Sequence, residues 1–247
     1  AFSGSFPTKV FQLPSLKSLA AVKNCFVGQI PESICDEGQN LTSSLQVVAL
    51  DGLHASSYCI THYWSPFRSS SSTGSFSTLM SGSLPCCLWR LPNITTLHFS
   101  GNGFTGTMPQ FSSDLSKSLH DVSISHNRLT GTIPDVILDH AFTNLDLSYN
   151  KLYGSIENFA HMPFSSDATK KSTGAALNLE NNRLSGRIPK VLENAYNVQI
   201  LEGNIFDCDS KVPSHDPSAE NYMCGSNELD SASIVFTVSI SAVIVTV

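Results

Sequence analysis

The chain has 247 residues, 41% of them hydrophobic and 14% charged, a composition that excludes disorder along its whole length and supplies enough apolar residues for a sizeable core. Its 14 basic and 20 acidic residues give a net charge of −6, and the longest basic run is the pair Lys170 and Lys171. Nucleic acid is thereby excluded as the main partner, because phosphate binding needs a clustered basic face.

In chain order, residues 1–10 already read as the second half of a structural unit. Phe2, Gly4, Phe6 and Pro7 take the places that Phe104, Gly106, Met108 and Pro109 hold further on. The matching Asn falls outside the sequence, so the first coil is expected to lack its beginning, and no signal-peptide pattern stands at the N-terminus. The unit then recurs: Asn24, Asn102, Asn127, Asn150 and Asn182 each stand four residues before a glycine, at 28, 106, 131, 154 and 186. The steps between the last four Asn are 25, 23 and 32 residues, a period of about 24 with an insertion expected near 161–174.

Apolar residues three, five and often eight places before the Asn predict a short strand with one buried face, as in Leu97 and Phe99, Val122 and Ile124, or Leu145 and Leu147. The Asn should end the strand, since its amide can bond backbone groups where the chain turns, and stacked copies should form a ladder. The glycine permits a backbone that a Cβ hinders, and the proline after it blocks return to a sheet, so an irregular or 3₁₀ return is expected. Between 44 and 83 the pattern weakens, with Leu53 in the Asn slot. The 54 residues from Gly28 to Gly82 have room for two degenerate repeats, separated by a Ser-rich loop bearing Tyr63 and Trp64. At Asn204 the register breaks, because Cys208 replaces the glycine.

The seven cysteines, at 25, 35, 59, 86, 87, 208 and 224, follow no metal-binding spacing and read as disulfides with one thiol left over. Two acceptor triplets, at Asn40 and Asn93, add N-glycosylation, and together these features point to the secretory pathway. Residues 233–247 carry neither charge nor proline and are slightly short of the ~20 needed to span a bilayer. They are expected to be a cut-off transmembrane helix or the tail of a lipid-anchor signal, with a buried final strand as the alternative.

The stretch "LHDVSISHNRLTGTIP" and its copies resemble the leucine-rich repeat of the plant-type subclass, marked by its Gly-x-Ile-Pro extension, over 1–35 and about 91–206. The resemblance implies an α/β repeat solenoid, a right-handed horseshoe of about eight repeats with short parallel strands on the concave face and irregular or 3₁₀ segments on the convex one. The implied organisation is a solenoid over 1–206, a cap over 207–230 and an apolar segment over 231–247. The cap is similar to the disulfide-closed ends of extracellular solenoids, which pairs Cys208 with Cys224 and contributes about 3 kcal/mol; the pairing of the other cysteines stays open.

No nucleophile elbow, phosphate loop, zinc-protease helix or kinase signature is present, so no enzyme, cofactor or metal is expected. The column four before the Asn holds His98, Ser123, Asp146 and Asn178, and the column one before it holds His126 and Tyr149. With His120, Asp121 and Glu180 they form a candidate patch for a protein, peptide or glycan, since successive strands place such side chains about 5 Å apart; the alternative is that they are merely solvated. Asn24, Asn102, Asn127, Asn150, Asn182 and Asn204 are the scaffold positions. The expected function is non-catalytic recognition by a membrane-tethered extracellular protein acting through a co-receptor. The alternatives are a structural subunit of a larger membrane complex and a secreted inhibitor resembling the polygalacturonase-inhibiting type.

Overall fold

The computed structural model describes residues 2–36, 43–52, 80–109, 115–159, 176–207 and 211–225. The expected insertion near 161–174, the Tyr63 and Trp64 loop, Cys59, Cys208, Asn40 and the apolar segment 231–247 lie outside these residues. Among the described residues no helix is long and apolar enough to cross a membrane.

The strand expected before each Asn is present. β2 (Ser18–Ala20), β4 (Val47–Ala49), β6 (Thr96–His98), β8 (Asp121–Ser123), β10 (Asn144–Asp146), β12 (Ala176–Asn178) and β14 (Val198–Gln199) form one parallel seven-stranded sheet in chain order. In five of the strands the middle apolar residue is inward: Val48, Leu97, Val122, Leu145 and Leu177 are buried, while their neighbours in the strand are only partly covered. Alternation of side chains across a pleat gives this division directly.

At its end each strand except β4, whose Asn slot holds Leu53, is held by the Asn. Asn127 donates from Nδ2 to the carbonyls of Ile124 in its own coil and Phe99 in the preceding one, while its Oδ1 accepts the Phe104 amide at 3.0 Å. Asn150, Asn182 and Asn204 repeat the arrangement, accepting the amides of Leu129, Leu152 and Leu184. These side chains replace water for backbone groups that a dry core would leave unbonded.

Beyond the Asn the molecule departs from expectation. A second strand follows, and in most coils it contains the glycine: β1 (Ser3–Ser5), β3 (Cys25–Gln29), β5 (Met80–Gly82) and β7 (Gly103–Phe104) form a four-stranded parallel sheet, with Gly106 just beyond β7. β9 (Thr130–Gly131), β11 (Lys151–Ser155), β13 (Arg183–Gly186) and β15 (Ile205–Phe206) form another. Gly131, at φ +83°, shows why glycine is needed: an added Cβ would be strained by that backbone and would lie 2.9 Å from Thr107 Cγ2. The proline then opens the return. Pro7, Pro31, Pro85 and Pro189 each precede a 3₁₀ turn, and Pro134 precedes the short helix α1 (Asp135–Leu138). Its fixed φ and missing N–H suit that position.

The region 44–83 is also corrected. β4 pairs on one side with β2 and on the other with β6, so one strand of the sheet lies between Ala20 and Thr96, where two repeats were expected. An insertion and a degenerate repeat have the same length in a sequence, and only strand pairing tells them apart. The described residues hold seven strands of this sheet, preceded by the half coil of β1, against about eight repeats expected. Cys35 and Cys87, in the 3₁₀ turns of adjacent coils, form a disulfide with a Cα separation of 5.4 Å; Cys86 is free. Cys25 and Cys224 each take part in a further disulfide.

Residues 211–225 lie against the last coil. The buried Asp216 carboxylate accepts the amides of Ile200 (2.7 Å), Leu201 (3.1 Å) and Ser218 (2.9 Å), and the Tyr222 hydroxyl accepts the Phe206 amide. Asp216→Ala strands three amides and is expected to lower the urea midpoint by about 1 M, read from a denaturation curve.

Candidate recognition face

The exposed side of the seven-stranded sheet is built by three rows of side chains. The row opening the strands reads Thr96, Asp121 and Asn144, and the row closing them reads His98, Ser123, Asp146 and Asn178. A third, two residues before the Asn, holds Asp51, Ser100, Ser125, Ser148 and Glu180.

His98 is the centre of the first cluster. Its Nε2 lies 3.0 Å from Asp121 Oδ1 and its Nδ1 lies 3.9 Å from Asp51 Oδ2. The close contact with Asp121 pushes the imidazole above its ordinary value, against burial and with the fields of Asp121, Asp51 and Asp146. Burial raises the Asp121 carboxyl, but the bonds from His98 and Asn144 outweigh it and leave Asp121 below its usual range. Asp51 is raised by burial, although the Ser100 amide bonds it at 2.7 Å.

A second cluster is hydroxyl-rich. Ser100 Oγ meets Ser123 Oγ at 2.8 Å and accepts the Ser125 amide, and Ser123 donates to Asp146 at 3.4 Å. Asp146 in turn receives the Ser148 hydroxyl at 2.7 Å. Asn178 Oδ1 accepts the Glu180 amide at 3.2 Å, and burial and then Glu202 push the Glu180 carboxyl upward.

His126 and Tyr149 stack at a centroid distance of 4.2 Å with planes 17° apart, and both rings are exposed. Both residues have left-handed backbones, at φ 54° and 53°, as do Lys23 and Asn181 in the same column. Gly101 is the one sign of this in the sequence. His120 stands apart from the rows: exposed and just ahead of β8, it contacts the Ser118 carbonyl through Nδ1 at 2.8 Å. Asn93 is exposed, with Nδ2 on the Ser43 carbonyl.

The structure therefore brings His98 to ion-pair distance of Asp121, bonds Ser123 to Asp146 and pairs His126 with Tyr149. Asp51, Ser100, Ser125, Asn144 and Ser148 belong to the same network and were missed. Reading the columns two and six before the Asn along every repeat finds them.

The His98 ion pair gives a pH dependence. An imidazole raised in the folded state stabilises below its unfolded value of about 6.5, and that stabilisation is lost as pH rises through the folded value. Between pH 6 and 8 the melting temperature should fall by about 2 °C more in the parent than in His98→Gln, seen by circular dichroism across the range. Equal slopes would show that the pair contributes nothing.

A leucine-rich-repeat family model matches residues 93–115, 118–139 and 176–195. Receptor-like protein 35 of Arabidopsis thaliana is 36% identical over 115 residues, 44% of this chain and 12% of that protein, and Receptor-like protein 32 of the same plant is 36% identical over 114. The chain thus spans about an eighth of the length of these relatives. Among solved structures, the ectodomain of the Arabidopsis thaliana membrane receptor kinase GASSHO1/SCHENGEN3, in complex with CASPARIAN STRIP INTEGRITY FACTOR 2, matches with a TM-score of 0.58 at 23% identity. That match covers 83% of this chain and 20% of the receptor. A Pollen Receptor Kinase 3 structure matches with a TM-score of 0.52 at 22% identity, covering 84% of this chain and 79% of the other.

Proposed function

Because the chain belongs to the plant-type leucine-rich-repeat proteins, we propose that it is the non-catalytic recognition segment of an extracellular, membrane-tethered receptor-like protein. Its ligand is a protein or peptide, bound on the exposed side of the seven-stranded sheet. The observation that carries this reading is the array joining Asp51, His98 and Asp121 to Asn144 and, alongside, Ser100, Ser123 and Asp146. Ordinary solvated side chains on neighbouring strands need not bond one another. Here they do, so their geometry is fixed before a ligand arrives, which lowers the ordering cost of binding.

Such a scaffold sets specificity locally, by the side chains its strands present. The apolar segment 231–247 supplies the tether and Asn40 and Asn93 the glycans in this reading. Output passes through a co-receptor or another membrane partner.

The test is a pull-down with the tail-bearing protein displayed on intact cells, followed by the triple substitution of His98, Asp146 and Tyr149 by alanine. Capture of a partner by the parent and its loss in the folded triple variant support the proposal. Unchanged capture rejects recognition through this face, and a tagged chain that external protease cannot reach rejects the extracellular placement.

A further inference from the structure

We propose that the His126–Tyr149 stack, with Glu180 and Glu202 beside it, is a subsite for an arginine side chain of the peptide ligand; this rests on recognition through the same sheet. His126 and Tyr149 stand one residue before the Asn of their coils, and Glu180 and Glu202 two before it. The Tyr149 amide bonds the Glu180 carbonyl at 3.0 Å and the Asn181 amide bonds the Glu202 carbonyl at 2.7 Å, so the coils that carry them are direct neighbours.

The ring pair offers a flat, solvent-facing aromatic surface, held by left-handed backbone in two successive coils rather than by packing into the core. Its surroundings are negative. The Glu180 charge, with that of Glu202, raises the Tyr149 hydroxyl, and Glu180 is itself raised by burial and by Glu202, Asp216 and Asp146. Among the described residues no lysine or arginine forms an ion pair with either glutamate.

A planar cation satisfies both features. A guanidinium lies flat on a tyrosine face and directs its N–H groups sideways to carboxylates, which an ammonium does with weaker stacking and a neutral side chain does not do. It also relieves the repulsion between the two glutamates. Glu202 further lines the open cleft formed with Pro217, Tyr222 and Met223, which gives the peptide a continuation beyond the arginine.

The probe is a random peptide library, panned on the whole folded protein, with the selected peptides then measured by calorimetry. Selected peptides should carry arginine at one position, and replacing it by glutamine should weaken binding about tenfold. Tyr149→Phe, which keeps the stack, should retain the arginine preference. Tyr149→Ala, or Glu180→Gln with Glu202→Gln, should abolish it while the melting curve shows the fold intact. Peptides without arginine, or an arginine preference that survives Tyr149→Ala, would overturn the subsite. If such peptides still lose binding in the His98 and Asp146 variants, recognition by the sheet stands and the subsite alone fails; if binding is indifferent to both sets, recognition by this face fails as well.

Discussion

Asn127→Ala should unfold about 6–12 °C below the parent, a loss of about 3 kcal/mol. The substitution strands the Phe104 amide and removes the donor shared by the carbonyls of Phe99, Ile124 and Ser125, all at a buried position. Asn127→Asp tests the cause, since it keeps the shape but turns a carboxylate oxygen toward three carbonyls, and should cost at least as much. Asn158→Ala is the control: this Asn is exposed and bonds only the exposed Asp135 carboxylate, so its removal should shift the midpoint by less than about 1 °C. Because coils contact only their neighbours, the damage should appear as local opening around β8, read by amide exchange, before global unfolding. A parent-like melting curve for Asn127→Asp would show that the ladder is not what holds the coils.

Cys35→Ser should have an effect of similar size or greater. The bridge to Cys87 spans 52 residues, for which loop-closure entropy gives about 4 kcal/mol. Cys35 is the residue to replace, because Cys86 stands beside Cys87 and could substitute for it. A fall of about 8–16 °C is expected in differential scanning calorimetry, with Cys86→Ser close to the parent. The bridge joins the turns after Pro31 and Pro85, and so ties together two coils whose sequences are separated by residues 53–79. If Cys35→Ser melted with the parent, the two coils would be held by strand pairing between β2 and β4 and between β3 and β5 alone.

The inner sheet was legible because its code is redundant. An apolar pair spaced by two, then Asn, then Gly four later, places the strand at Thr96–His98 or Asp121–Ser123 within one residue of where it lies. The second strands were not legible, because glycine and proline read as breakers. A parallel ladder tolerates a glycine of positive φ, as at Gly82 in β5 and Gly131 in β9. At the recognition face, His98, Ser123 and Asp146 could be placed by counting from the Asn, but Asp51 could not be paired with His98 until β4 was known to adjoin β6. Counting yields columns, and only strand order turns columns into neighbours.

Stacked parallel coils have no intrinsic length, since each new strand presents the same donors and acceptors as the last. In the interior the residue after each strand donates to a carbonyl of the following one, as Leu179 does to Gln199. At Ile200 that carbonyl is replaced by the carboxylate of Asp216. A carboxylate accepts and has no donor of its own to pass onward, so at this position the pattern of strand following strand is interrupted. The Ile200 donor, which an unprotected edge strand would offer to another chain, is therefore already taken within the molecule.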